Sequence, residues 1–148
     1  MSNVPEYKRK KSTCEAIIKA RHLATYTIQI CANSKVFLPE YKSSLTDEIV
    51  HDAKEAYILA WKANSIRVTG QLAGELGTLR LQLQKEAILN CKSLLPLIEL
   101  AQKVYHLGSG RIEYWARLTL ETASALTNWH EGDIKTLQKY DKIKVAVG

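Results

Sequence analysis

The chain has little of what staples or breaks a small protein. Its 148 residues include three cysteines, three prolines, seven glycines, one methionine and one phenylalanine. The cysteines, Cys14, Cys31 and Cys91, are an odd number with no CxxC spacing, which argues against a closed disulfide set and a four-ligand zinc site. Cys31 and Cys91 lie among apolar neighbours and read as small buried hydrophobes, the usage of a reducing, cytoplasmic compartment. So few glycines and prolines do not supply the turns of a β-sandwich. No run approaches the ~18 uninterrupted apolar residues of a membrane span, and the N-terminus is polar and basic. Neither secretion nor a membrane contact is expected.

What is present is ordinary in amount and uneven in placement. Apolar residues make up 46% and charged residues 24%, as in a soluble domain, and the length suits one domain with a sizeable core. The net charge is +6. Lys8, Arg9, Lys10 and Lys11 against Glu6 give the first eleven residues +3, and the last seventeen carry +2. Residues 12–131 carry only +1. The reading is therefore a basic arm at 1–11, a nearly neutral body at 12–131 and a basic tail at 132–148. Basic ends suit a polyanion such as RNA or DNA, or serve only to keep a terminus in water.

Four helices follow from the apolar periodicity. The first begins near Ser12, which forms a capping-box pattern with Glu15, and carries Cys14, Ile17, Ile18, Ala24, Ile28 and Cys31. It ends near Asn33 or Ser34, before a corner at Phe37 and Pro39. The second starts around Ser43 to Leu45, with Ser44 and Asp47 as a second cap-like pair. Leu45, Ile49, Ala53, Ala56, Ala60 and Ala63 then form a stripe of small residues that lets a neighbour approach. Gly70, Gly74 and Gly77 end this pattern. The third spans 76–107 with Leu79, Leu83, Leu94, Leu97, Ala101 and Val104 as its seam, and Pro96 predicts a kink within it. Gly108-Ser109-Gly110 reads as a turn. The fourth carries Ile112, Trp115, Thr119, Thr122, Leu126 and Trp129 and ends at Gly132, leaving 133–148 as a short helix or mobile tail. The fold expected is all-α, an up-down antiparallel four-helix bundle. Its wide apolar faces leave room for a contact between protomers.

The packing residues resemble the four-helix-bundle family of the accessory variability determinant proteins, which assist the reverse transcriptase of diversity-generating retroelements. Proteins encoded by intervening sequences in bacterial 23S rRNA genes belong to the same superfamily. The residues that carry the resemblance are Phe37 and Pro39, then Leu45, Thr46, Ile49, Ala53, Glu55, Ala63 and Asn64. Further on they are Leu83, Gln84, Ala87, Leu94 to Ala101, Tyr114, Trp115 and Trp129. The resemblance covers roughly residues 13–131. The resemblance implies a ring-like homopentamer that binds the reverse transcriptase and template RNA, supports mutagenic cDNA synthesis and has no catalytic activity or cofactor of its own. The near-neutral body instead suits an oligomeric interaction protein of the intervening-sequence type, without nucleic-acid function.

No spacing indicates a catalytic nucleophile or a Cys–His pair. Glu48-x-x-His51 has di-iron spacing, but such sites need a second copy. His22, His106 and His130 have no Glu three residues before them, so the pair reads as a solvated surface turn and no metal is expected. Gly108-Ser109-Gly110-Arg111 is either a phosphate cradle or a common loop, and the common loop is the simpler reading. Candidate nucleic-acid-binding residues are Lys8, Arg9, Lys10 and Lys11 beside Tyr7, and on the helices Arg80, Lys85, Lys92, Arg111 and Arg117. The termini rank first. Trp115 and Trp129 fall on the core seam. Trp61 lies off the alanine stripe and is the candidate inter-subunit contact.

Overall fold

A computed structural model describes residues 11–67 and 74–147, with side chains at 15–67 and 74–139. Among the described residues there are four long helices and no strand: α1 (Lys11–Cys31), α2 (Asp47–Ser65), α3 (Glu75–Tyr105) and α4 (Ser109–Val147). Helix α1 packs on α2 and α4, and α3 packs on the same two, so each helix has two neighbours around a shared core. None of these helices is long and apolar enough to cross a membrane.

The core is finer-grained than apolar periodicity suggests. On α1 the buried positions are Ala16, Ala20, Leu23, Ala24, Thr27 and Cys31, while Ile18 is 52% exposed and Ile28 faces a surface groove. Alanine and threonine sit inward because they allow close helix approach; the larger isoleucines are turned outward. The expected seam at Ile18 and Ile28 is therefore corrected by part of a turn. On α3, Leu79 is likewise 47% exposed, and Gln84, Ala87, Cys91, Leu94 and Ile98 hold the centre. The α2 stripe from Leu45 to Ala63 and the α4 seam from Trp115 to Trp129 are buried as the sequence indicates.

Several polar side chains in this core find partners. Trp115 Nε1 donates to Thr27 Oγ1 at 3.0 Å, which ties α4 to α1. Thr122 Oγ1 lies within hydrogen-bond distance of the carbonyls of Leu118, in its own helix, and Lys19, across the core. Cys91 Sγ–H points to the Thr119 carbonyl at 3.4 Å. Burial pushes the Cys31 and Cys91 thiols up to about 12, as the small-hydrophobe reading requires. The Cys14 side chain lies outside the described residues.

The corner between α1 and α2 is built by local hydrogen bonds. Asn33 Oδ1 accepts from the Lys35 amide, and the Asn33 carbonyl accepts from Val36 and Phe37. Leu38 is extended, as a residue before proline must be, and Pro39 opens a 3-10 turn (Pro39–Tyr41). A π-helical turn (Lys42–Thr46) leads straight into α2. The Ser44 capping pair does not form; Ser44 Oγ donates to the Tyr41 carbonyl instead. Helix α2 needs no side-chain cap because its first amides bond back to the preceding turn, as Asp47 does to the Lys42 carbonyl.

Three expected boundaries also move. Ser12 lies inside α1 rather than ahead of it. Gly77 sits within α3, buried against Leu137, where an added Cβ would stand 2.9 Å from a Leu137 methyl carbon. Helix α4 runs through Gly132 to Val147, and Leu137, beyond the expected end, is buried. At Gly77 tertiary contact with Leu137 overrides the weak helix propensity of glycine, whereas Gly132 is exposed and is carried within the long helix. Gly70 lies outside the described residues. Helix α3 continues through Pro96, which lacks the amide that would bond the Lys92 carbonyl; both residues are exposed.

Candidate nucleic-acid interface

The corner places cations and aromatic rings on one side of the molecule. Phe37 is buried with its ring 4.9 Å from Tyr105 and 6.1 Å from Trp115, centroid to centroid. Thr46 Oγ1 and Tyr105 Oη share a buried hydrogen bond of 2.6 Å, which fixes the end of α3 against the start of α2. Above this base lies an open cleft of about 420 Å³ lined by Lys35, His106 and Arg111 around Val36, Leu38 and Leu107. The turn that forms it is His106 to Gly108, two residues earlier than the Gly-Ser-Gly run suggests. Ser109 and Gly110 are already in the first turn of α4, and Ile112 N–H donates to the Gly108 carbonyl.

Beyond Arg111, α4 carries a second exposed arginine, Arg117, with the exposed Glu113 between the two in sequence. Tyr26 of α1 meets Tyr114 edge to face at 5.0 Å, and the Arg117 guanidinium lies over the Tyr114 ring at 5.4 Å. Burial raises the Tyr26 phenol above its ordinary pKa, the positive charge of Arg111 pulls against that rise, and Tyr114 adds to it. Arg111 is thus near enough to act on the Tyr26 hydroxyl. Among the described residues, neither Arg111 nor Arg117 has a carboxylate oxygen within 4.0 Å. Two arginines beside two half-buried tyrosines offer phosphate contacts and ring faces together.

Of the remaining sequence-selected cations, none of those described lines the corner cleft. Lys8, Arg9 and Lys10 lie outside the described residues, as does the side chain of Lys11. Lys85 is exposed on α3 and acts electrostatically on His130, which stands about 28 Å along α4 from Arg111. Lys92 is exposed beside Cys91. Glu48 and His51 are exposed on α2, and no three His, Cys, Asp or Glu side chains gather among the described residues.

Arg80 is drawn inward, away from any external polyanion. Its Nε donates to Asp133 Oδ2 at 2.5 Å, and its Nη1 donates to the Ile66 carbonyl at 2.8 Å and the Ala63 carbonyl at 3.3 Å. The guanidinium lies 5.3 Å from the Trp129 ring centre. Gln84 Nε2 donates to the same Asp133 oxygen at 2.6 Å, so Gln84 Oε1 accepts from His130 Nδ1–H at 2.9 Å. Trp129 Nε1 is buried with no hydrogen-bond partner among the described residues. This network fastens α2, α3 and α4 and gives Arg80 a structural role. Physically, a charged side chain three or four residues from core positions is as well placed to cap a neighbouring helix as to meet solvent.

Sequence reading misses Lys35, His106 and Tyr26. Tyr26 and Tyr114 are 88 positions apart, and their meeting depends on helix register. Lys35 had a faint local signal, a cation within the polar turn before Phe37. Trp61 is 56% exposed on α2, where a partner can reach it. Comparison with family models, curated proteins and solved structures gives no significant match to this chain.

Proposed function

We propose that this chain is a non-catalytic scaffold of the accessory variability determinant type, which docks a reverse transcriptase and helps hold its template RNA in the cytoplasm. The observation that supports RNA binding most directly is the cluster of Arg111, Tyr114 and Arg117 with Tyr26. The resemblance supports the reverse-transcriptase partner. Its pattern residues Phe37, Thr46, Ile49, Ala53, Gln84 and Trp115 lie in the core, so they bear on the fold first. An up-down antiparallel course is supported by the pairs Thr27–Trp115 and Lys19–Thr122, whose numbers run in opposite senses, and by Thr46–Tyr105 and Asp52–Ser93. The proposed assembly is a ring, a pentamer by resemblance, in which Trp61 meets a second copy and weak cationic contacts are multiplied around the ring.

Titration of labelled single-stranded RNA across a salt series tests the reading. Affinity should fall steeply with salt, with a log–log slope of roughly −0.7 for each phosphate neutralised. Charge reversal of Lys8, Arg9, Lys10 and Lys11 should weaken binding more than Lys85→Glu. Binding that is equal at low and high salt removes the electrostatic mechanism. Light scattering should give a multiple of the 16.7 kDa chain mass that Trp61→Ala lowers. The near-neutral charge of residues 12–131 favours a second reading, an oligomeric interaction protein of the intervening-sequence type. Absence of any RNA or reverse-transcriptase complex, with the oligomer intact, would select it.

A further inference from the structure

We infer that the corner cleft is a binding site for a nucleoside phosphate, with Lys35, His106 and Arg111 holding the phosphate and the apolar wall receiving the base. The inference rests on the nucleic-acid reading for its ligand class. Three observations carry it.

First, the described lining combines three nitrogen-bearing side chains with Val36, Leu38, Tyr105 and Leu107, and it holds no carboxylate. Lys35 and Arg111, with no carboxylate in the lining, favour an anion, and arginine recognises phosphate through a planar fork of donors. Second, the cleft volume of about 420 Å³ lies in the range of small-ligand sites. Third, the backbone at His106 is strained. It is the sole non-glycine residue with positive φ among those described, at φ 55° and ψ 48° in the left-handed region. Its amide closes α3 on the Gln102 carbonyl. Glycine takes such a helix-ending position without penalty. Here the chain retains an imidazole there, and that side chain lines the cleft. Strain of this kind gathers at functional sites because the side chain is needed where the backbone would prefer none.

The geometry assigns distinct parts. Lys35 comes from the turn after α1, His106 from the end of α3 and Arg111 from the first turn of α4, so a phosphate between them meets donors from three segments. The base then lies on Val36, Leu38 and Leu107. Two sources supply this chemistry, a free nucleotide and the 5′-phosphorylated end of an RNA strand.

Isothermal titration of the full chain with AMP, inorganic phosphate, and a short oligoadenylate with or without a 5′-phosphate tests the site. AMP or the 5′-phosphorylated strand should bind, and Lys35→Ala should weaken that binding roughly tenfold, the effect of one charge-assisted contact. His106→Gly should give a similar loss while raising the melting temperature, because strain is relieved as a ligand group is removed. Preference for AMP identifies the free nucleotide as the source; preference for the 5′-phosphorylated strand over the unphosphorylated one identifies a strand end. Equal binding of phosphate and AMP overturns the base pocket. Binding unchanged in both variants overturns the site. If long RNA binds but AMP and the 5′-phosphorylated strand do not, the cleft falls and the wider interface stands. If AMP binds and RNA does not, the cleft stands and the RNA-scaffold reading falls.

Discussion

Asp133→Ala is the perturbation that most directly examines how the far end of the helical body is held. One carboxylate oxygen, Asp133 Oδ2, accepts from both Arg80 Nε at 2.5 Å and Gln84 Nε2 at 2.6 Å. Removing it leaves one charged and one neutral donor without that acceptor. Breaking a fully buried ion pair costs about 3–5 kcal/mol. Here the side chains are 12% and 22% exposed, so water recovers part of that, and Arg80 keeps the Ala63 and Ile66 carbonyls. The expected loss is about 2–3 kcal/mol, or roughly 4–12 °C in melting temperature for a domain of this size. Urea unfolding followed by circular dichroism measures it. The double variant Arg80→Met/Asp133→Leu should lose less than the sum of its two single variants, because no unpaired charge remains. A loss below about 0.5 kcal/mol for Asp133→Ala, within the range of an ordinary surface substitution, would refute the network as a fastening.

Gly132→Ala should stabilise by about 1 kcal/mol, since the position is mid-helix and an added Cβ meets nothing within 4 Å. Gly77→Ala should gain less or lose stability, because its Cβ meets Leu137 at 2.9 Å; equal gains in thermal melts would contradict the close approach. His130 has its pKa lowered chiefly by burial and further by Lys85, with Asp133 and Glu131 pulling upward. The unfolded chain therefore binds the proton more readily, and stability falls as pH drops through the ordinary histidine value near 6.5 towards the lower folded value. The urea midpoint should decline over that window, and His130→Gln should flatten the decline; an unchanged slope would assign it to other groups. Cys31 and Cys91, with thiols near pKa 12, should resist a disulfide reagent in the native state and react on unfolding. Rapid native labelling of either cysteine, located by peptide mapping, would contradict the burial.

The alanine stripe of α2 and the tryptophan seam of α4 were legible in the sequence because their small and large residues repeat at one helical spacing. The α1 seam was misread because alanine and isoleucine compete for the same face, and apolarity alone does not say which one packs. Ser44 reads as a cap by type, yet a preceding turn of helical geometry satisfies the same amides. Arg111 and Arg117 could be named from charge. Their association with Tyr26 could not, because it requires knowing how two helices register across the core. Arg80 shows the converse: a residue chosen for charge turns out to be held by backbone carbonyls of another helix. The backbone strain at His106 leaves no mark in composition, since a histidine before Leu107 and Gly108 looks like any surface residue.

The aromatic base beneath the corner has a consequence for recognition rates. Phe37, Tyr105 and Trp115 interlock the turn after α1, the end of α3 and the start of α4, the three segments that bear Lys35, His106 and Arg111. The backbone beneath these side chains is thus positioned before any ligand arrives. Association then orders only side-chain tips and the incoming molecule, which lowers the entropic penalty that a mobile loop would impose. Encounter there should resemble docking on a rigid surface, with discrimination expressed in how long a ligand stays rather than in how fast it lands.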